Sequence, residues 1–156
     1  MSRKFEYVNR VLSTGYEMKE PEFNLPKRAT KTSVAYDIYS PIDFEVKPKE
    51  TFMLWAGIKV KFQDDEALLI NVRSSMGKKH IMLANLQGWI ESDYYNNSDN
   101  EGEIGIMLYN YGENTFKVQK NDRIAQAMFI KYLITEDDNA EGIRTGGFGS
   151  TNKEVK

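Results

Sequence analysis

Short apolar runs recur along this chain at intervals of about 8–12 residues, each closed by turn-forming residues, and this rhythm limits the fold more than any other feature. Phe44-Glu45-Val46-Lys47 alternates apolar and polar side chains, as do parts of Phe52–Phe62, where Gly57 predicts a bulge or bend. Ala67–Val72 is apolar enough for a buried strand, and Ile104–Asn110 reads similarly. Phe116-Lys117-Val118 and Ala125–Ile134 complete the series. Turn signals lie between these runs at Pro48-Lys49-Glu50, Asp64-Asp65, Asn96–Gly102 and Lys120-Asn121-Asp122. Only Ser74–Lys79 suggests a helical turn, and a brief one. The pattern predicts an all-β antiparallel sandwich, jelly roll or barrel rather than an alternating α/β fold.

The two ends differ from this middle. Residues 1–24 lack periodicity and carry Gly15 and Pro21 as breakers, so an early strand and an irregular connection are expected. From Glu136 the chain is polar and rich in glycine. The predicted division is a β domain over 1–142 and a flexible arm over 143–156, mobile until something orders it.

Composition then narrows the chemistry. At 156 residues the chain is one domain, and without cysteine it has no disulfide, thiolate nucleophile or zinc ribbon. His80 is the single histidine, so acid–base work falls to carboxylates. A formal charge of −2 argues against a non-specific nucleic-acid binder. No apolar run approaches the roughly 18–20 residues that span a bilayer, and the start shows no signal-peptide core, so no membrane role and a cytoplasmic location are expected.

Five segments are more specific than strand or turn chemistry requires. Ala35–Ser40 holds Asp37. Arg73-Ser74-Ser75-Met76-Gly77 leaves a buried run with a guanidinium fork, two hydroxyls and a glycine, a reasonable phosphate cradle. As an isolated segment it would pass for a strand-to-helix turn with a serine cap. Asn85–Tyr94 (NLQGWIESDY) reads as a hairpin with Gly88 near its turn. An extended backbone edge and an amide such as Asn85 suit a pyrimidine, because a base with reversed donors and acceptors would leave buried polar groups unpaired. Glu91 and Asp93 in the same stretch can activate a water, and strand alternation would point them to one side. Trp89 reads as ordinary cross-strand packing. Arg123-Ile124-Ala125-Gln126 begins a strand, and Gly146-Gly147-Phe148-Gly149-Ser150-Thr151 offers backbone N–H groups and hydroxyls that can wrap phosphate oxygens.

In this order and spacing, from about Leu25 to Thr151, the five segments resemble the motifs of the trimeric dUTPases. The resemblance implies a jelly-roll-like homotrimer with sites at subunit interfaces. It also implies hydrolysis of dUTP to dUMP and pyrophosphate by in-line water attack at the α-phosphorus. That reaction limits uracil incorporation into DNA and supplies dUMP for thymidylate synthesis. Mg²⁺ would bind through the triphosphate and water, with no direct protein ligand. Residue by residue, Glu91 would be the base, Asp93 its helper, and Asp37 the floor that orients water around metal and phosphates. Ser74 would polarise the bond to be cut. Arg73, Ser75, Gly77 and Gln126 would meet phosphates, and Arg123 would hold the interface. Asn85, Gly88, Ile90 and Tyr94 would enclose the nucleoside, with Tyr94 leaving no room for a ribose 2′-hydroxyl. Arg144 would reach the γ-phosphate. Phe148 would stack on the uracil, and Gly147, Gly149, Ser150 and Thr151 would wrap the phosphates.

The sequence departs from the family in four places. Glu91 stands three residues before Tyr94, where the family has its catalytic aspartate. Arg144 lies four rather than five residues before Phe148, and Ala35 replaces a common glycine. Asn96–Glu101 (NNSDNE) is inserted before Gly102-Glu103, most simply as a lengthened surface loop, otherwise as a cap on the site or a seat for a protein partner. Glu91 and the insert keep a non-catalytic nucleotide-sensing or protein-binding module open as an alternative. A dCTP deaminase of the same fold is a more distant one.

Overall fold

The computed structural model describes residues 2–11, 16–17 and 22–149. Its strands run β1 (Lys4–Tyr7), β2 (Arg10–Val11), β3 (Tyr16–Glu17), β4 (Tyr36–Tyr39), β5 (Phe44–Val46), β6 (Thr51–Trp55) and β7 (Ile58–Lys61). They continue with β8 (Glu66–Asn71), β9 (Ile81–Leu83), β10 (Gly88–Glu91), β11 (Gly105–Asn110), β12 (Phe116–Val118) and β13 (Arg123–Lys131). One helical turn, α1 (Ser74–Gly77), follows β8, and a 3₁₀ turn, Ser92–Tyr94, follows β10. The all-β expectation holds, including the brief helix.

A four-stranded antiparallel sheet has the order β10-β8-β13-β4, and a three-stranded sheet the order β6-β11-β9. Ile38, Leu68, Ile124, Ala125 and Ala127 of the first meet Leu54, Ile81, Ile106 and Leu108 of the second in one apolar core. Alternation decides which residues enter it. In β11 the even positions Ile106, Leu108 and Asn110 are buried while Gly105, Met107 and Tyr109 are partly exposed. Asn110 is a polar exception that donates to the carbonyls of Val46 and Asn114 at 2.9 and 2.8 Å, so burial leaves it satisfied.

Gly57 divides the Phe52–Phe62 run more completely than a bulge would. Its φ is +69°, and the strands on either side pair in different sheets, β6 with β11 and β7 with β1. The last strand ends at Lys131, and Tyr132, Leu133 and Ile134 lie exposed beyond it. Arg3 clamps Glu66, a buried carboxylate at the start of β8. No helix among the described residues is long and apolar enough to cross a membrane.

Candidate active site

The five singled-out segments assemble into two clefts that share no lining residue. The first, about 180 Å³, lies where the edge strand β10 faces β11 and the C-terminal arm. Ile70, Leu83, Ile90 and Ile106 make its inner wall, and Asn85, Gly88, Trp89, Glu91 and Tyr94 stand around it. Because β10 has a neighbour on one side only, its other edge presents backbone N–H and C=O groups outward. Gly88 packs closely: a Cβ there would lie 3.1 Å from Ile70 Cβ, a tight contact that the neighbour would have to relieve.

This corrects the expected hairpin. β9 and β10 do not pair; β9 joins β11 and β10 joins β8. The turn between them is made at Leu86, whose φ is +67°, rather than at Gly88, which opens β10. Two strands entering different sheets have no shared ladder, so the connection is a sheet-to-sheet crossover. Glu91 and Asp93 still converge, but through the 3₁₀ turn rather than by strand alternation.

Both carboxylates meet Arg144. Its Nε donates to Asp93 Oδ1 at 2.8 Å, and its Nη2 lies 3.3 Å from Glu91 Oε2. Described as far as Gly149, the arm lies against the body of the chain through these contacts. Phe148 meets Trp55 edge-on at 5.5 Å between centroids while remaining 64% exposed. The packing is tight on both sides of the arm. A Cβ on Gly147 would fall 2.8 Å from the Tyr94 ring, and one on Gly105 would fall 2.8 Å from Phe148. Ser150 and Thr151 lie outside the described residues.

The second cleft, about 470 Å³, gathers Asp37, Arg73, Ser74, Ser75 and Gln126 from three distant segments. Strand register brings them together. Gln126 on β13 stands opposite Asp37 on β4 and Asn71 on β8, so the end of β8 delivers Arg73 beside them. Asp37 is buried between two guanidinium groups, 2.9 Å from Arg73 Nε and 3.4 Å from Arg123 Nη1. Ser74 and Ser75 are exposed at the mouth. Among the described residues nothing lies within 4 Å of the Cβ direction of Gly77.

The segments sort accordingly: Asp37 with Arg73-Ser74-Ser75 and Gln126 in one cleft, Asn85–Tyr94 with the arm in the other. A family model described as dUTPase matches residues 21–152. The chain belongs to the dUTPase family. Its sequence is 37% identical to the deoxyuridine 5′-triphosphate nucleotidohydrolase of Lactococcus lactis over 96% of this chain and 97% of that protein. Its fold is similar to the dUTPase of Streptococcus mutans, with a TM-score of 0.72 at 28% identity over 85% of this chain and 98% of that one. A mutant dUTPase from phage phi11 of S. aureus, a structure that details the coordination of a structural Mg(II) ion, shares the fold with a TM-score of 0.67 at 18% identity, covering 91% and 98% of the two chains.

Within this dUTPase, sequence reasoning missed three contributors. Trp89, paired across the strands with Leu69 as expected, also stands 53% exposed at the mouth of the first cleft. Trp55 and Gly105 form the seat for Phe148, and neither is adjacent to a singled-out segment in the chain. The Asn96–Glu101 insert is not a free surface loop, since Asn97 is buried and donates to the Tyr94 carbonyl at 2.8 Å. His80 packs against Tyr111, outside both clefts.

Proposed function

We propose that this protein hydrolyses dUTP to dUMP and pyrophosphate in the cytoplasm, as a homotrimer in which the first cleft of one subunit faces the second cleft of its neighbour. The separation of the clefts carries this reading. One offers a backbone edge, with Glu91 in its lining and Asp93 beside it on Arg144; the other is lined by Asp37, Arg73, two serines and Gln126. A nucleoside triphosphate needs both, and within one chain they share no lining residue. The spare edge of β10 suits uracil, whose N3–H donor and O4 acceptor are reversed in cytosine. Tyr94 walls the deoxyribose, and Phe148 covers the base. Arg73, Ser74, Ser75 and Gln126 receive the phosphates across the interface.

Glu91 takes the proton of a water attacking the α-phosphorus in line, with pyrophosphate as the leaving group. Asp93 orients that water, and Asp37 holds Arg73 and Arg123 in place. Arg144, now on the two carboxylates, moves to phosphate oxygens when the triphosphate arrives, freeing Glu91 to act as base. The donor set suits Mg²⁺ carried in on the nucleotide: no group of three or more carboxylates or imidazoles among the described residues could cage a cation. Triphosphate oxygens and water would be its ligands, and Asp37 would orient that water. When bound, the ion offsets charge developing on the phosphates.

Pyrophosphate release from dUTP, dCTP, dTTP and UTP tests the reading. Turnover of dUTP alone is expected. Tight dUTP binding without pyrophosphate would favour the sensing module, and ammonia from dCTP would favour the deaminase.

A further inference from the structure

The six-residue insert is welded to the body of the protein at both flanks. At one, Lys59 Nζ donates to Asn96 Oδ1 at 2.6 Å; at the other, the Glu101 carboxylate accepts from the backbone N–H and the amide of Asn9 at 2.8 and 2.9 Å. Between these anchors Asn97 organises the loop. Its Oδ1 accepts from the N–H groups of Asp99 and Asn100, and its Nδ2 reaches the Tyr94 carbonyl. The chain leaves the insert at Gly102, φ +80°, where a side chain would collide with that carbonyl at 2.5 Å.

Asn100 stands over the Tyr94 phenol. Its Oδ1 accepts from Gly102 N–H at 3.0 Å and from Asn97 Nδ2 at 2.8 Å, and since a backbone N–H can only donate, the amide has one orientation. That orientation aims Nδ2 at Tyr94 Oη, 2.7 Å away. The phenol in turn donates to the Glu103 carbonyl at 2.7 Å. Tyr94 is 5% exposed, and with its hydroxyl engaged on both sides it presents its ring to the cleft.

We propose that Asn100 is a positioning residue for sugar discrimination: by donating to the Tyr94 phenol it fixes the ring at the place where a ribose 2′-hydroxyl would have to fit. The inference rests on the reading that Tyr94 walls the deoxyribose. A ring held by one hydrogen bond can tilt, and tilting relaxes the contact that would exclude the extra oxygen. Burial pushes the Tyr94 phenol above its ordinary value and the Asn100 bond works the other way, so the phenol depends on this donor for part of its solvation.

The test is the ratio of kcat/KM for dUTP to that for UTP in the full-length protein. Asn100→Ala should lower the ratio about tenfold, the scale of one lost buried hydrogen bond with some added ring freedom. Asn100→Asp, which keeps the oxygen that caps Gly102 but removes the Nδ2 donor, should do the same and guards against collapse of the loop. Ser98→Ala, exposed on the same insert, should leave the ratio unchanged. In a Tyr94→Phe background, Asn100→Ala should add less than a twofold further change, because its target is already gone. Additive losses, or an unchanged ratio in both Asn100 variants while Tyr94→Ala lowers it, would overturn the proposal alone. An unchanged ratio in Tyr94→Ala would overturn the reading beneath it as well.

Discussion

The two clefts are built by opposite strategies. The first is made largely of neighbours in sequence: Asn85–Tyr94 supplies a strand edge, a 3₁₀ turn and both carboxylates within ten residues. The second is made of residues 37, 73 and 126, brought together only because β4, β13 and β8 lie side by side in register. A locally built cleft can be shaped to one ligand by one loop, and here the insert and the arm both press on it. A register-built cleft is as rigid as its sheet and suits the part of a substrate that is the same in every nucleotide. On the proposed function, specificity and proton transfer fall to the first cleft and phosphate holding to the second.

The largest expected effect separates chemistry from binding within the first cleft. Glu91→Gln should lower kcat by about a thousandfold or more while dUTP affinity stays within roughly tenfold, because a base acts in the transition state. Asp93→Asn should cost far less. The reverse ranking would move the base to Asp93.

Next comes the arm. Deleting residues 143–156 should lower turnover by about a hundredfold while leaving Tm nearly unchanged, since every residue of the core precedes this segment. Phe148→Ala should show a milder version, about tenfold. Tryptic cleavage after Arg144 should slow when a non-hydrolysable dUTP analogue and Mg²⁺ are present. Equal cleavage rates would mean that the nucleotide does not tighten the arm.

The smallest effect should fall on both clefts equally. β8 borders the first through Ile70 and leads into the second at Arg73, and its start is held by the Arg3–Glu66 pair. The Arg3 hydrogen bond holds the Glu66 carboxyl below its ordinary value. A carboxylate lowered in the folded state contributes stability that is present above its unfolded value and is lost as pH falls through the folded one. Arg3→Met should therefore lower Tm near neutral pH, with the Tm gap to the parent narrowing as acid protonates the Glu66 carboxylate. A gap independent of pH would remove the ion pair from the explanation.

How much of this was legible follows from the same contrast. Strands declare themselves through alternation, and the singled-out segments name their own residues, so the all-β fold and most of both clefts were readable. Pairing was not. The Asn85–Tyr94 stretch contains two short strands and a glycine, the marks of a hairpin, yet the ladder partners are chosen by sheets that its own residues do not specify. Trp55 reaches the site only because β6 pairs with β11, which places it opposite Gly105 under Phe148. The insert looked like surface because its composition is polar, but Asn97 and Asn100 spend that polarity on Tyr94 instead of water.

The central claim is that a working site joins the first cleft of one subunit to the second cleft of another. Mixing two inactive variants tests it most directly. Glu91→Gln damages only the first cleft and Asp37→Asn only the second, so each alone should be nearly inactive. After unfolding and refolding together in equal amounts, activity should return to about one quarter of the parent rate, because one junction in four of a head-to-tail ring pairs two intact clefts. A mixture no more active than its separate components would contradict the account.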